Sequence, residues 1–278
     1  MAAKAPHPPI LLDLVEWTDA SDDFGGISGL QMTDNGTGCL AVSDGGFLFS
    51  AKLVRDAEGR ITTIEAQDHE RFIDNLGRPA IGFQSDAEAL RIERGGSILV
   101  AFEGYARVAR FELPDMHPLA LQVWDRFKSI WGNAGMEALS VAPDGQIMTI
   151  LENSTGDGAY QTFVYQGGID WVNGPALASD GRFRATDSVY GPDGRLYVLE
   201  RSFSPLWGYT TRISAYRAAG KGFSQPEVVL QTGAGEFGDL EGLDVWTDSK
   251  GRTIATMVTD NNFLPFVPTK VAEFVLSE

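Results

Sequence analysis

Short apolar runs alternating with turns rich in Asp and Gly fill almost the whole chain. Runs of Val, Ile, Phe, Tyr and Thr are broken by pairs such as Asn35-Gly36, Asp144-Gly145 and Asp193-Gly194. These pairs supply the positive-φ residues that tight hairpins need, so the pattern predicts strands. No segment carries a long apolar period of about 3.6 residues with caps, and Asp68–Leu76 has room for one helical turn at most. The pattern also recurs. An acid or hydroxyl opens an apolar strand, a turn follows, and a second apolar strand ends in another acid. It reads Ile27-Ser28-Gly29-Leu30 to Ser43-Asp44-Gly45-Gly46, then Ala87-Glu88-Ala89-Leu90 to Ala101-Phe102-Glu103-Gly104. Met136-Glu137-Ala138-Leu139 to Ile150-Leu151-Glu152-Asn153 comes next, followed by Thr186-Asp187-Ser188-Val189 to Val198-Leu199-Glu200-Arg201. The last copy is Leu240-Glu241-Gly242-Leu243 to Val258-Thr259-Asp260-Asn261. Self-similarity at about 50 residues marks a repeat architecture.

Each repeat parses as four strands. In the second they are Ala87–Ile92, Ile98–Glu103, Val108–Leu113 and Leu119–Trp124. In the fourth they are Thr186–Tyr190, Leu196–Arg201, Arg212–Tyr216 and Glu227–Gln231. The fifth supplies only Gly242–Trp246, Thr253–Thr259 and Lys270–Leu276, and Ile10–Trp17 is left over at the other end of the chain. Joining it to the last sheet closes a ring. The expected fold is therefore an all-β, five-bladed β-propeller over residues 10–278, after a disordered tail at 1–9. Six blades is the second count, because the first two copies lie about 60 residues apart and leave room for a small extra blade. In a propeller the first strand of each blade lines the channel and the second returns to the same face. The opening positions (Ser28, Glu88, Glu137, Asp187, Glu241) and the closing ones (Asp44, Glu103, Glu152, Glu200, Asp260) are thus expected at one mouth.

Composition narrows the partners. Lys plus Arg is 22 against 38 Asp plus Glu, a formal charge of -16. Such a field repels nucleic acid and anionic membranes and attracts cations. No stretch of about 18 apolar residues occurs that could span a bilayer as a helix. The single Cys39 lies in the apolar run Cys39-Leu40-Ala41-Val42 and reads as a buried thiol, without an internal disulfide. The first nine residues lack the apolar run of a signal peptide. A processed periplasmic or secreted protein and a cytosolic one fit them equally. A monomer acting on a small molecule is expected.

Crowded carboxylates either hold protons at raised pKa or are neutralised by cations. Oxygen donors without His or Cys suit Ca²⁺ or Mg²⁺ rather than zinc. The candidate ligands are Asp44, Glu88, Glu103, Glu137, Glu152, Glu200, Glu241 and Asp260, with Asn133, Asn153, Asn261 and Asn262 as flanking carbonyl donors. The competing expectation is that the acids cap strand ends by accepting backbone N–H groups of adjacent blades. The repeats differ in their insertions. These are Asn153–Gln161, with Gly156-Asp157-Gly158 and Tyr160; Ser204–Thr211, with Trp207 and Tyr209; and Asp260–Phe266, with Phe263. Asn153, Tyr160, Arg201, Trp207, Tyr209, Asn261, Asn262 and Phe263 are expected to wall one substrate pocket over the channel, or to plug the ring. Arg201 either grips a substrate anion or pairs with Glu200 or Glu152. A Ser-His-Asp triad does not fit. His7, His69 and His117 fall outside the acid positions, and Gly26-Ile27-Ser28-Gly29-Leu30 is not a G-x-S-x-G elbow. P-loop, H-E-x-x-H and CxxC motifs are absent. The remaining enzymatic reading is metal-assisted hydrolysis, with Glu137 or Glu152 activating water and Asp187 and Arg201 completing the catalytic set.

The chain resembles the family labelled "esterase-like activity of phytase", a mostly bacterial group of propeller-like domains. The resemblance is carried by Gly25-Gly26-Ile27-Ser28-Gly29-Leu30 with Ser43-Asp44-Gly45-Gly46, and by Ala134-Gly135-Met136-Glu137-Ala138-Leu139 with Pro143-Asp144-Gly145. It continues through Ala185-Thr186-Asp187, Leu199-Glu200-Arg201-Ser202-Phe203, Thr211-Arg212-Ile213 and Asp260-Asn261-Asn262-Phe263. It implies hydrolysis of phosphate or carboxylic esters, often in exported proteins, and carries no catalytic residues across. Gly45 stands where the family pattern has Arg, which removes one anion contact. The alternative function is a non-catalytic, calcium-stabilised propeller that binds a small ligand or a partner protein. A lactonase-like or dehydrogenase-like propeller would need recurring histidines.

Overall fold

The computed structural model describes residues 8–113, 115–123, 125–132, 135–155 and 158–277. The expected tail over residues 1–7, Trp124, Asn133 and Gly156-Asp157 lie outside these. The described chain forms five antiparallel sheets around one axis and a separate two-stranded ribbon, Ala218–Ala219 with Gly222–Phe223. Blade one is Ile27–Thr33, Gly38–Ser43, Phe47–Arg55 and Ile61–Arg71. Blade two is Ala87–Ile92, Ile98–Phe102, Arg107–Glu112 and His117–Ala120. Blade three is Met136–Val141, Ile147–Ser154, Ala159–Gly167 and Asp170–Asn173. Blade four is Arg184–Tyr190, Leu196–Ser204, Gly208–Tyr216 and Glu227–Gln231. Blade five is Asp239–Thr247, Thr253–Asp260 and Lys270–Ser277, with Ile10–Glu16 as its outer strand.

Ring closure by the N-terminal strand follows the sequence expectation. Ile10–Glu16 pairs antiparallel with the last strand, Ile10 opposite Val275 and Glu16 opposite Lys270. The seam between blades five and one is also stitched by the bidentate pair of Arg55 with Glu273, at 2.7 and 2.8 Å. No sixth blade fills the interval after blade one. The extra residues lengthen its third and fourth strands to 9 and 11 residues. Asp68–Leu76, where the sequence leaves room for one helical turn at most, forms none. Asp68–Arg71 continues the outer strand, and a bridge from Ile73 to Pro79 follows.

Both faces of every blade are buried against neighbours, which explains why the second strands read as continuous apolar runs. In Ile98-Leu99-Val100-Ala101-Phe102, alternate side chains join opposite cores. Ile98, Val100 and Phe102 pack with blade one, and Leu99 and Ala101 with blade three. The same alternation builds the cores between blades three and four, four and five, and five and one.

Each inner strand carries a β-bulge at its second or third residue. The unpaired residues are Ser28, Glu88, Glu137, Thr186 and Glu241. The next position is small in blades one, two, three and five: Gly29, Ala89, Ala138 and Gly242. A Cβ on Gly242 would lie 2.8 Å from the Leu30 amide nitrogen, and one on Gly29 2.9 Å from the Ala89 Cα. The inner strands therefore touch, and the channel is closed rather than open. Its filling is Arg91, 2% exposed. Its guanidinium donates to Asp187 at 2.8 Å, to the Ser188 carbonyl at 2.6 Å, to Leu30 at 3.1 Å and to Leu243 at 3.2 Å. Blades one, two, four and five thus meet at one side chain. Asp187 is fully buried and takes a further bond from the Leu243 amide at 2.8 Å. Removing one partner of a buried pair leaves an uncompensated charge. Arg91→Ala is expected to lower stability by about 3–5 kcal/mol in equilibrium urea unfolding; a loss below about 1 kcal/mol would show that Arg91 does not hold the blades together.

Candidate functional site

The bulges turn the first residues of the inner strands toward one mouth of the channel. Second strands deliver their last residues to the same place: the amides of Asp44, Glu103 and Glu152 bond to the carbonyls of Gly26, Asp86 and Gly135. Asp44, Asp86, Glu88, Glu103, Glu137, Glu152, Asp239, Glu241 and Asp260 gather there. Asp44, Asp86 and Glu88 bring carboxylate oxygens within 4.8 Å of one another, as do Asp239, Glu241 and Asp260.

Blade four breaks this arrangement by one residue. Ala185 pairs with Glu200, in the register where Ala87 pairs with Phe102 and Met136 with Leu151. The opening position of blade four is therefore Thr186, not Asp187, and its closing position is Arg201, not Glu200. A one-residue shift sends a strand side chain to the opposite face. Asp187 accordingly lies in the channel on Arg91, away from the mouth. Glu200 is buried between blades three and four, where its oxygens accept from Tyr160 Oη and Arg212 at 2.8 Å and also from Ser214. Asp187, expected in the catalytic set, and Glu200, expected among the metal ligands, are instead committed to internal partners away from the mouth. Tyr160 is fully buried in that same network and is not a pocket wall.

Arg201 takes the place of a carboxylate in the ring. It bonds to Asp239 at 2.8 Å and to Glu241, and lies 3.8 Å from Glu152. Glu152 is also held by Arg184 and by the Asn153 amide, each at 3.1 Å. Of the two partners expected for Arg201, Glu152 is met and Glu200 is not. The Arg201 guanidinium lies 5.9 Å from the Tyr209 ring, and Tyr209 in turn meets Phe203 in a tilted contact, 4.8 Å between ring centres. Trp207 is 71% exposed at the tip of that hairpin. In blade five, the Asn261 side chain accepts from the Gly26 amide at 2.9 Å and latches the turn onto blade one. Asn262 and Phe263 both take positive φ, 50° and 52°. The Phe263 ring covers Gly26 and Gly45 so closely that a Cβ on Gly26 would come within 2.3 Å of it. Gly45 therefore lies beneath an aromatic ring.

Charge balance at the mouth is uneven. Burial pushes Glu88 and Glu137 well above the usual glutamate range, with neighbouring carboxylates adding to the effect. Glu137 and Glu103 are hydrogen-bonded to each other, so they share a proton. Burial raises Asp44 to about 7, against the Ser28 hydroxyl that donates to it at 2.6 Å. Burial likewise raises Asp260 to about 6, opposed by the Asn262 amide at 2.6 Å. Around Asp239 and Glu241 the Arg201 cation offsets the charge. Among the described residues, no arginine makes a salt bridge to Asp44, Asp86 or Glu88. Some of the acids also act as the caps that the sequence suggested. Glu103 accepts the Gly135 amide of the next blade at 3.1 Å.

The Asp86 and Asp239 contributions were missed in the sequence. Both lie two residues before a bulge, where the other blades have Gly26, Gly135 and Arg184. The aligned offset from Glu88 and Glu241 was the available signal.

The family described as "Phytase-like: Esterase-like activity of phytase" matches residues 22–263. No curated protein matches this sequence. Among solved structures, the fold is similar to the PQQ-bound aldose sugar dehydrogenase of Streptomyces coelicolor, with a TM-score of 0.50, 10% identity, and coverage of 98% of this chain and 99% of that one. Virginiamycin B lyase of Staphylococcus aureus gives 0.46 at 9% identity, covering 95% and 99%. A protein of unknown function from Dyadobacter fermentans DSM 18053 gives 0.49 at 12%, covering 88% and 74%. At 10% identity the likeness to the sugar dehydrogenase is one of fold.

The raised carboxylates set a pH dependence. A carboxyl whose folded pKa exceeds its unfolded value near 4 keeps its proton longer in the folded state, so stability falls as pH rises between the two. For Asp260 and Asp44 that window runs from about 4 to the folded values of about 6 and about 7. In chelator, the melting temperature is expected to fall from pH 5 to pH 7. A flat or rising melting temperature over that interval would contradict the electrostatic picture of the mouth.

Proposed function

Because this chain belongs to the phytase-like family, described by its esterase-like activity, we propose that it hydrolyses carboxylic or phosphate esters with the help of a divalent cation at the channel mouth. The supporting observation is the group Asp44–Asp86–Glu88: clustered carboxylates, partly desolvated, with no arginine salt bridge to them among the described residues. Oxygen-only donors of this kind fit Ca²⁺ or Mg²⁺. The second group, Asp239–Glu241–Asp260, already holds the Arg201 cation and has less need of a metal. A bound cation would supply a Lewis acid for the ester oxygen.

Glu137 is the residue we assign to proton transfer. It is hydrogen-bonded to Glu103, and burial raises its pKa above the usual glutamate range, the direction in which enzymes tune a catalytic carboxyl. Glu152 is the weaker candidate, because Arg184 and Asn153 already engage its oxygens. Arg201 spans Glu152, Asp239 and Glu241, so it positions carboxylates rather than offering a free anion site. A second reading, the calcium-stabilised binding module, draws support from the acids that already stitch backbone. Glu103 accepts the Gly135 amide and Asp260 the Asn262 amide. Both readings share the cation, and turnover separates them.

Glu137→Gln is expected to lower kcat on aryl esters or aryl phosphates by about 10²–10⁴-fold, the usual contribution of a positioned general base, and chelation should abolish turnover. Turnover that survives both treatments would sink the hydrolase mechanism. A calcium-dependent rise in melting temperature without turnover would instead establish the binding module.

A further inference from the structure

Beside the mouth, blade two carries a groove that the acid ring does not occupy. Its volume is about 530 Å³, inside the range of roughly 300–1,000 Å³ typical of small-molecule sites. Gln84, Tyr105, Arg107, Phe111, Leu119 and Trp131 line it. The Tyr105 and Trp131 rings meet edge to face at 5.0 Å. Phe83, 64% exposed, stands 6.3 Å from Tyr105 and extends the aromatic wall outward.

The cation in this groove is Arg107. The Arg107 guanidinium lies 3.7 Å over the Phe102 ring. Its amino groups donate to the carbonyl oxygens of Tyr105, at 3.2 Å, and of Gln84. Among the described residues it makes no salt bridge, whereas Arg91, Arg184, Arg201 and Arg212 each hold a carboxylate. Burial draws its pKa down to about 10, with Asp86 opposing. The other charged groups on the groove, Arg78 and Asp74, cancel each other at 2.7 Å. The groove also borders the acid ring. The Gly104 amide bonds to Asp86, and a Cβ on Gly104 would lie 3.0 Å from Asp86 Oδ2.

We propose that this groove binds an anionic aromatic group. Arg107 pairs with a carboxylate or phosphate oxygen, and Tyr105 and Trp131 pack against the ring. Resting on the hydrolase reading, this names the substrate class: esters with an anionic aryl portion, seated on blade two with the ester toward Asp86 and Glu88. Without Arg107 the field of the neighbouring carboxylates would repel such a ligand.

The test is calorimetric titration of the full chain in chelator with 1-naphthoate and its neutral analogue 1-naphthamide. Saturable naphthoate binding, at least tenfold tighter than the amide, is expected, and Arg107→Met should erase the difference. Absence of naphthoate binding, equal binding of acid and amide, or unchanged naphthoate binding in Arg107→Met would overturn the proposal. Should Arg107→Met not fold, the acid–amide comparison on the unaltered chain decides alone. Hydrolysis of the acetate and phosphate esters of 4-hydroxy-1-naphthoate with Ca²⁺ present is measured in parallel. Naphthoate binding without hydrolysis would leave the groove standing and remove the hydrolase reading.

Discussion

One bulged residue near the start of each inner strand determines where the chemistry of this chain lies. Without the bulge, strict alternation would bury the second residue of the strand against a neighbouring blade. With it, Glu88, Glu137 and Glu241 turn to the channel mouth and meet the carboxylates that close the second strands. The bulge is a local backbone feature, yet repetition around the ring multiplies it into a bowl of carboxylates. Burial and mutual repulsion in that bowl raise their pKa values, and a bound cation would relieve the repulsion.

The floor of the bowl is fixed by Arg91. It fills the space where the inner strands converge and links blades one, two, four and five, with Asp187 as its counter-ion. Small residues after the bulge let the strands approach to contact, and Asp187 is tolerated at that position because Arg91 and the Leu243 amide satisfy it. The mouth is thus a shallow site over a closed channel. Its extension lies sideways, along blade two, where the aromatic groove adjoins Asp86.

Most of the architecture was legible in the sequence, since apolar runs, Asp-Gly turns and the leftover Ile10–Trp17 strand are direct consequences of local chemistry and of the need to close a ring. Blade four was not. Aligning it by acid to acid placed Asp187 and Glu200 at the mouth, whereas the register gives those places to Thr186 and Arg201. Glu200 occupies the position that Phe102 has in blade two, an acid among apolar residues. Its partners Tyr160, Arg212 and Ser214 come from other strands, so nothing local marks it as buried. Arg201 was recognised as a mouth cation, but its partners Asp239 and Glu241 lie on the next blade and could not be read from spacing. The groove depends on Tyr105, Arg107 and Trp131 meeting across turns, which periodicity does not report.

The central claim is that Asp44, Asp86 and Glu88 form the cation site. Calorimetric titration of Ca²⁺ into the metal-free chain at pH 8, compared with Glu88→Gln, tests it directly. Saturable binding that is lost or weakened at least tenfold in the variant is the predicted result; equal binding by both proteins would contradict the account.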